Sequence, residues 1–303
     1  MPRGQAGAVL DHPLATPGRA GSAPYAGAVT APDRSPFAPL PAGPLLPTVL
    51  ERLTREPGRP RLTWYGPGGE RVELSGHVLD NWVTKSTNLL VEEFEVGPGS
   101  AVVLDLPPHW RAVVWAFAVW RPGGCVVPVV RAADAPSGGA GGGLAADRAV
   151  VVTDRPEAWS TAHDVVGVAL PALARRFDGE LPAGAMDAAS AVMTYGDVLT
   201  FVQEHDPGAD AVEVEGAVVP HHALGSWAAD RAERLGVRAV DGPQRVLVEP
   251  SAGDLTGLLA AVLTVLAASG SVVVCHPEVS RDLAKDPARR ERLVASEKVS
   301  SPT

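Results

Sequence analysis

At 303 residues and 46% hydrophobic side chains, the chain has material for one large or two modest domains around a substantial core. A formal charge of −9 with no basic stripe excludes a nucleic-acid surface, because neutralising phosphates needs clustered Lys and Arg. The most apolar run, 255–268, is 14 residues long against the roughly 20 that a bilayer crossing takes, so it reads as a core helix and no membrane partner is expected.

Residues 1–47 are rich in Ala, Gly and Pro without apolar periodicity and read as a disordered tail; no continuous apolar stretch follows Arg3, so a signal peptide is not expected. A short helix over 45–53 ends at Pro57-Gly58-Arg59-Pro60, and the strand Leu62 to Tyr65 follows. Gly66 to Gly69 then makes a hairpin turn. Ser75 caps a helix whose Val78, Leu79, Trp82, Val83, Leu89, Leu90 and Phe94 recur near the 3.6 period and should pack on a sheet.

The most informative stretch runs from Val96 to Val130. Val96-Gly97-Pro98-Gly99 opens an apolar strand ending near Leu106. Pro107-Pro108 turn the chain, with Pro108 suited to a helix's first turn, and the helix ends at Gly123-Gly124 before the strand Cys125 to Val130. Two short apolar runs joined by a helix make a parallel βαβ unit. The glycine cluster in 135–143 follows a strand but lacks both the Lys-Ser/Thr ending of a P-loop and the GxGxxG register, so it reads as a flexible surface loop. Strands are expected over 149–154 and 165–170, with a short helix over 156–164 between them.

The next helix spans about 221–235, with Leu224, Trp227, Ala228 and Leu235 on one side. Then Arg245 to Val248, the helix Leu255 to Ala268 and Ser271 to Cys275 repeat the strand, turn, helix, strand pattern. The expected division is a first α/β subdomain over 48–204, a second over 205–280, and a charged C-terminal helix, 283–298, with a tail in 281–303. Cys125 and Cys275 lie on strands without CxxC spacing, which fits buried reduced thiols and a cytoplasmic protein.

Gly97-Pro98-Gly99, the apolar strand, the proline turn, the apolar helix and Gly123-Gly124-Cys125-Val126-Val127-Pro128 together resemble the adenylate-forming, AMP-binding synthetases that include acyl-CoA synthetases. Leu62 to Tyr65 and Glu70 to Ser75 resemble that family's opening strands, in the same order. The match spans about 48–276 and concerns the family's N-terminal portion only, as in a short, truncated bacterial subfamily. It implies an α/β fold of two adjacent subdomains with mostly parallel sheets flanked by helices, and ligand sites near their junction.

The resemblance also shows what departs. The family places a Ser/Thr/Gly-rich loop ending in Pro-Lys-Gly around the nucleotide phosphates, followed by a valine pair, a histidine and a helix. Here Gly216-Ala217-Val218-Val219-Pro220-His221 matches the trailing part, but Asp210 to Val214 precedes it and Glu215 stands where lysine belongs. A carboxylate about 4 Å from a phosphate costs roughly 4 kcal/mol at an effective dielectric near 20. No aromatic-Gly-x-Thr-Glu motif, ribose-binding aspartate or C-terminal domain with its lysine can be placed, and Ser251 to Gly257 lacks the histidine that many relatives carry.

No catalytic residue is therefore assigned. Gly216, His221 and His222 are the candidates for cofactor binding at the subdomain junction. Adjacent histidines point to different sides of a helix, so His221-His222 reads as a helix start and not a metal site. His163-Asp164 lacks a GxSxG elbow. His109 and Trp110 read as helix capping and packing with a crevice-lining role as the alternative, and Trp82, Trp110, Trp115, Trp120 and Trp227 as core filling.

Three roles remain open. The first is a degenerate, non-catalytic binding or interaction module for an acyl group, a nucleotide or another protein. The second is an AMP-dependent ligase of the acyl-CoA synthetase type that relies on a partner chain or a divergent ATP site, with ATP/AMP and CoA as its cofactors. The third is an assembly subunit, whose partner is another protein or a second copy.

Overall fold

The computed structural model describes residues 44–131, 149–200, 203–237 and 243–300. The tail through residue 43 and the glycine cluster in 135–143 lie outside the described residues. In chain order the elements are α1 (Leu45–Thr54), β1 (Pro60–Tyr65), β2 (Arg71–Ser75), α2 (Gly76–Phe94), β3 (Ala101–Asp105), α3 (Trp110–Trp120) and β4 (Cys125–Pro128). Then come β5 (Val150–Thr153), β6 (Asp164–Gly167), β7 (Met186–Asp187), α4 (Ala188–Ala191), β8 (Asp210–Val214), β9 (Ala217–Pro220) and α5 (Leu224–Glu233). The last are β10 (Arg245–Val248), α6 (Leu255–Ala267), β11 (Ser271–Cys275), α7 (Pro277–Lys285) and α8 (Pro287–Ser296).

Two mostly parallel sheets result: a seven-stranded one ordered β7-β6-β5-β3-β4-β8-β9 and a four-stranded one ordered β10-β11-β1-β2. Both βαβ units are present, β3 pairing with β4 and β10 with β11 in parallel. The sheets do not follow the 48–204 and 205–280 division. β8 and β9 extend the sheet of β3 to β7, while β1 and β2 join β10 and β11, Leu62 lying opposite Val272. Backbone pairing rewards an open neighbouring edge wherever in the chain it comes from.

The two crossover helices hold the sheets together. Every residue of α3 and of α6 is buried, as expected of helices apolar all round, and the two pack on each other. Trp120 and Phe117 are fully enclosed there, and burying a side chain of that class contributes about 1.5–3 kcal/mol. Trp110 and Trp115 are buried with them, and Trp82 and Trp227 are partly buried against the same core. The other face of the four-stranded sheet, Leu247, Val273 and Cys275, is covered by Val279 and Leu283 of α7. Both cysteines are buried free thiols, and burial pushes each up to about 12.

Local expectations fail at identifiable places. α3 starts at Trp110, not at Pro108, because the extended His109 caps it: its Nδ1 accepts from the Arg111 amide at 3.1 Å. The helix over 156–164 is a single 3-10 turn, Pro156–Trp159. Val78 is 38% exposed, one position off the buried Leu79 and Val83 stripe. The C-terminal helix is two helices, since Asp286 ends α7 while its carboxylate caps the Arg289 amide and Pro287 opens α8. α1 begins at Leu45, inside the stretch assigned to the tail.

Candidate functional site

In an open parallel sheet, ligands settle outside the strand carboxyl ends where the chain switches direction. Here the chain leaves β3 for β4 on one side and returns to β5 on the other, so the switch point lies between β3 and β5. The last residues of those strands, Asp105 and Thr153, face each other across it.

Asp105 is fully buried and saturated. Its Oδ1 accepts from Arg131 Nε and Arg155 Nη2, each at 2.8 Å, and its Oδ2 accepts from Thr153 Oγ1 and Trp159 Nε1, each at 2.8 Å. Arg131 also donates to Asp154 Oδ1 at 2.5 Å and to the Asp105 carbonyl. Burial alone would raise the Asp105 pKa; the hydrogen bonds from Trp159 and Arg155 and the charge of Arg131 outweigh it and hold the carboxyl below its usual range. Two aspartates against two arginines leave no net charge for a ligand to meet. The β10–α6 turn closes on the same group: Gly253 has φ +86°, and a Cβ there would overlap the Arg131 carbonyl oxygen.

At the same end of the sheet stands the tip of the β8–β9 hairpin. Val214 pairs with Ala217, leaving Glu215 and Gly216 as a two-residue turn with φ 55° and 77°. Two successive left-handed residues are the geometry of a tight hairpin matched to strand twist, and glutamate is an unusual first member. Both residues are exposed. A turn this short carries two amides and one carboxylate, and it does not fit a triphosphate, which needs a ring of donors and positive charge.

The sequence candidates are not brought together. Gly216 sits at the carboxyl end of the parallel strands, whereas His221 and His222 follow β9 at the opposite end, roughly 16 Å away along five extended residues. His221 is buried, its Nε2 donates to the Gly124 carbonyl at 3.1 Å, and its ring meets His205 edge-on at 4.8 Å. Burial, then the neighbouring His205, lowers its pKa, so the ring is neutral at pH 7. His222 is exposed and its Nδ1 donates to the Pro207 carbonyl at 2.9 Å. The pair diverges as adjacent helical residues must, and no group of three metal-ligating side chains occurs among the described residues.

A second group lies where β1, β3 and β11 end. Trp64 meets His109 at 4.5 Å and His276 at 6.0 Å between ring centroids, and donates from Nε1 to Glu70 at 3.1 Å. His276 caps α7 as His109 caps α3, its Nδ1 accepting from the Glu278 amide at 3.2 Å. Capping through Nδ1 fixes the neutral tautomer with the proton on Nε2 in both rings. Burial, then the positive charge of the neighbouring Arg111, depresses His109 to about 3. His109 is thus a cap, and Trp110 packs in the core beside it. His163 and Asp164 form an exposed pair at 2.9 Å.

The Asp105 group was not anticipated, and its one signal is charged residues closing apolar strands at Leu104-Asp105 and Thr153-Asp154-Arg155. His276 before Pro277 was likewise a readable cap.

The chain is 33% identical over 254 residues to a TIGR03089 family protein of Mycobacterium tuberculosis strain H37Rv, covering 83% of this chain and 94% of that one. A solved structure of McyG A-PCP complexed with phenylalanyl-adenylate superposes with a TM-score of 0.58 at 13% identity, over 85% of this chain and 46% of that one. The N-terminal domain of FACL13 from Mycobacterium tuberculosis, bound to an inhibitor, gives 0.56 at 13% identity, over 86% and 62%. The chain therefore spans less than two thirds of either solved structure, and what it shares with them is the fold of the N-terminal portion of adenylate-forming enzymes. No family model matches it.

Proposed function

This chain belongs to the TIGR03089 family, and we propose that it is a non-catalytic relative of the adenylate-forming enzymes, acting as a binding or interaction module. The observation that carries the reading is the two-residue Glu215–Gly216 hairpin, which in chain order takes the position at which the resemblance puts the phosphate-wrapping loop. A preorganised set of donors is the largest catalytic contribution in sites of this kind, and loss of one donor commonly costs about a hundredfold to a thousandfold in rate. The Asp105 cluster supports the same reading, because the switch-point crevice is filled by the protein's own ion pairs.

The module's partner is another protein or a second copy of the chain, in the cytoplasm. Buried reduced thiols support that compartment, and no described helix is long and apolar enough to cross a membrane. A thermal-shift panel of ATP, AMP, CoA and acyl-adenylates tests the reading. A ligand at a hundredfold its dissociation constant adds about 2.7 kcal/mol, so a true nucleotide site is visible. No shift with ATP or AMP is expected. A magnesium-dependent shift with ATP would contradict the reading and favour the ligase alternative. Light scattering then separates a monomeric binder from a self-assembling subunit.

A further inference from the structure

Between α2, α3 and the segment 168–192 lies a small cavity, apart from both the hairpin tip and the Asp105 cluster. Trp82 and Ser86 of α2, Trp110, Arg111 and Trp115 of α3, and Val168 are among its walls, and no carboxylate is. Its free space is that of about one water molecule.

The Trp110 indole N–H in this wall is buried and unsatisfied. Trp64, Trp120 and Trp159 donate their indole N–H groups to Glu70, the Ala211 carbonyl and Asp105. Trp110 is 1% exposed, and its Nε1–H has no partner among the described residues. Native structures seldom leave a buried donor unmet. Beside it, Arg111 is 6% exposed with its guanidinium 4.4 Å from the Trp110 ring. Its Nε donates to Leu170 O and its Nη2 to Pro171 O and Ala172 O, all neutral carbonyls. The carboxylate whose charge reaches Arg111 is Glu70, and it is committed to Trp64 Nε1 and the Ala172 amide. A buried cation without a close counter-ion is costly, and burial accordingly lowers this guanidinium to about 10.

We infer that this cavity is a site for one small inorganic monoanion of halide size, held by Trp110 Nε1–H, the Arg111 guanidinium and the Ser86 hydroxyl. The space excludes larger anions, the donors exclude a cation, and the positive end of α3, whose first turn carries Trp110 and Arg111, adds to the attraction. An occupant supplies the missing counter-charge and fastens α2 and α3 to the 170–172 segment, which Arg111 already grips. The inference is independent of whether the protein is catalytic.

Bromide is the probe. Crystals of the full chain grown in sodium bromide are expected to show one anomalous peak within hydrogen-bond reach of Trp110 Nε1 and the Arg111 guanidinium. In solution, bromide should raise the melting midpoint above sodium gluconate at equal ionic strength. Trp110→Phe, which keeps a ring and loses the donor, should weaken the apparent bromide affinity about tenfold, the effect of one lost charge-assisted hydrogen bond. Ser86→Ala is the second variant, in case Trp110→Phe fails to fold. Density for a water alone, or a bromide effect that survives whole in the folded variants, overturns the proposal.

Discussion

At one end of the seven-stranded sheet, two neighbouring places are built in opposite ways. Around Asp105, four side chains from two stretches of the chain satisfy a buried carboxylate completely, and the β10–α6 turn is seated against the same Arg131. At the β8–β9 tip there is a bare two-residue turn in open space, with Glu215 in a left-handed conformation that few side chains adopt. The difference separates what the fold requires from what a ligand would require. The scaffold between the strands is closed and neutral, while the β8–β9 connection is as short as a hairpin permits.

The largest effect that sharpens this contrast is expected from Asp105→Ala. Removing one member of a buried, paired cluster leaves Arg131 and Arg155 uncompensated, which costs about 3–5 kcal/mol in a urea titration at pH 7. The pH dependence has a definite sign. Asp105 is depressed in the folded state, so its stabilisation is present above the unfolded carboxyl pKa and is lost as pH falls through the lower folded value. Asp105→Asn should therefore flatten the acid limb of the stability curve, and an unchanged limb would mean that the cluster does not govern it.

Next in size is Gly253→Ala, where the new Cβ meets the Arg131 carbonyl at a φ of +86°; more than about 1 kcal/mol should be lost. The smallest effect belongs to the tip. Glu215→Asn replaces a strained residue with one that tolerates the left-handed region and should stabilise by about 0.5 kcal/mol. A destabilisation there would show that Glu215 makes interactions beyond the turn.

Much of this architecture was legible because local chemistry and tertiary structure agree. Gly97 to Pro128 and Arg245 to Cys275 are apolar runs punctuated by glycine and proline, and both form the expected parallel units. Sheet membership was not legible, since nothing local in Leu62 to Tyr65 says that its neighbour is Val272 to Cys275. The Asp105 cluster was hidden for the same reason: its members are separate in sequence, and only the switch point gathers them. Pro287, by contrast, was a readable break that the charged run of α7 and α8 obscured. Glu215 was readable as a misplaced carboxylate, but that it shares a tight turn with Gly216, far from His221, follows only from the register of β8 with β9.

The most direct test of the central claim is pyrophosphate exchange by the full chain, with magnesium, ATP and a broad panel of carboxylic acids. The expected result is exchange no faster than a heat-denatured control with every acid, and no change on Glu215→Lys, because one lysine does not rebuild a loop of donors. Magnesium-dependent exchange specific to one acid, well above that control, would contradict the claim.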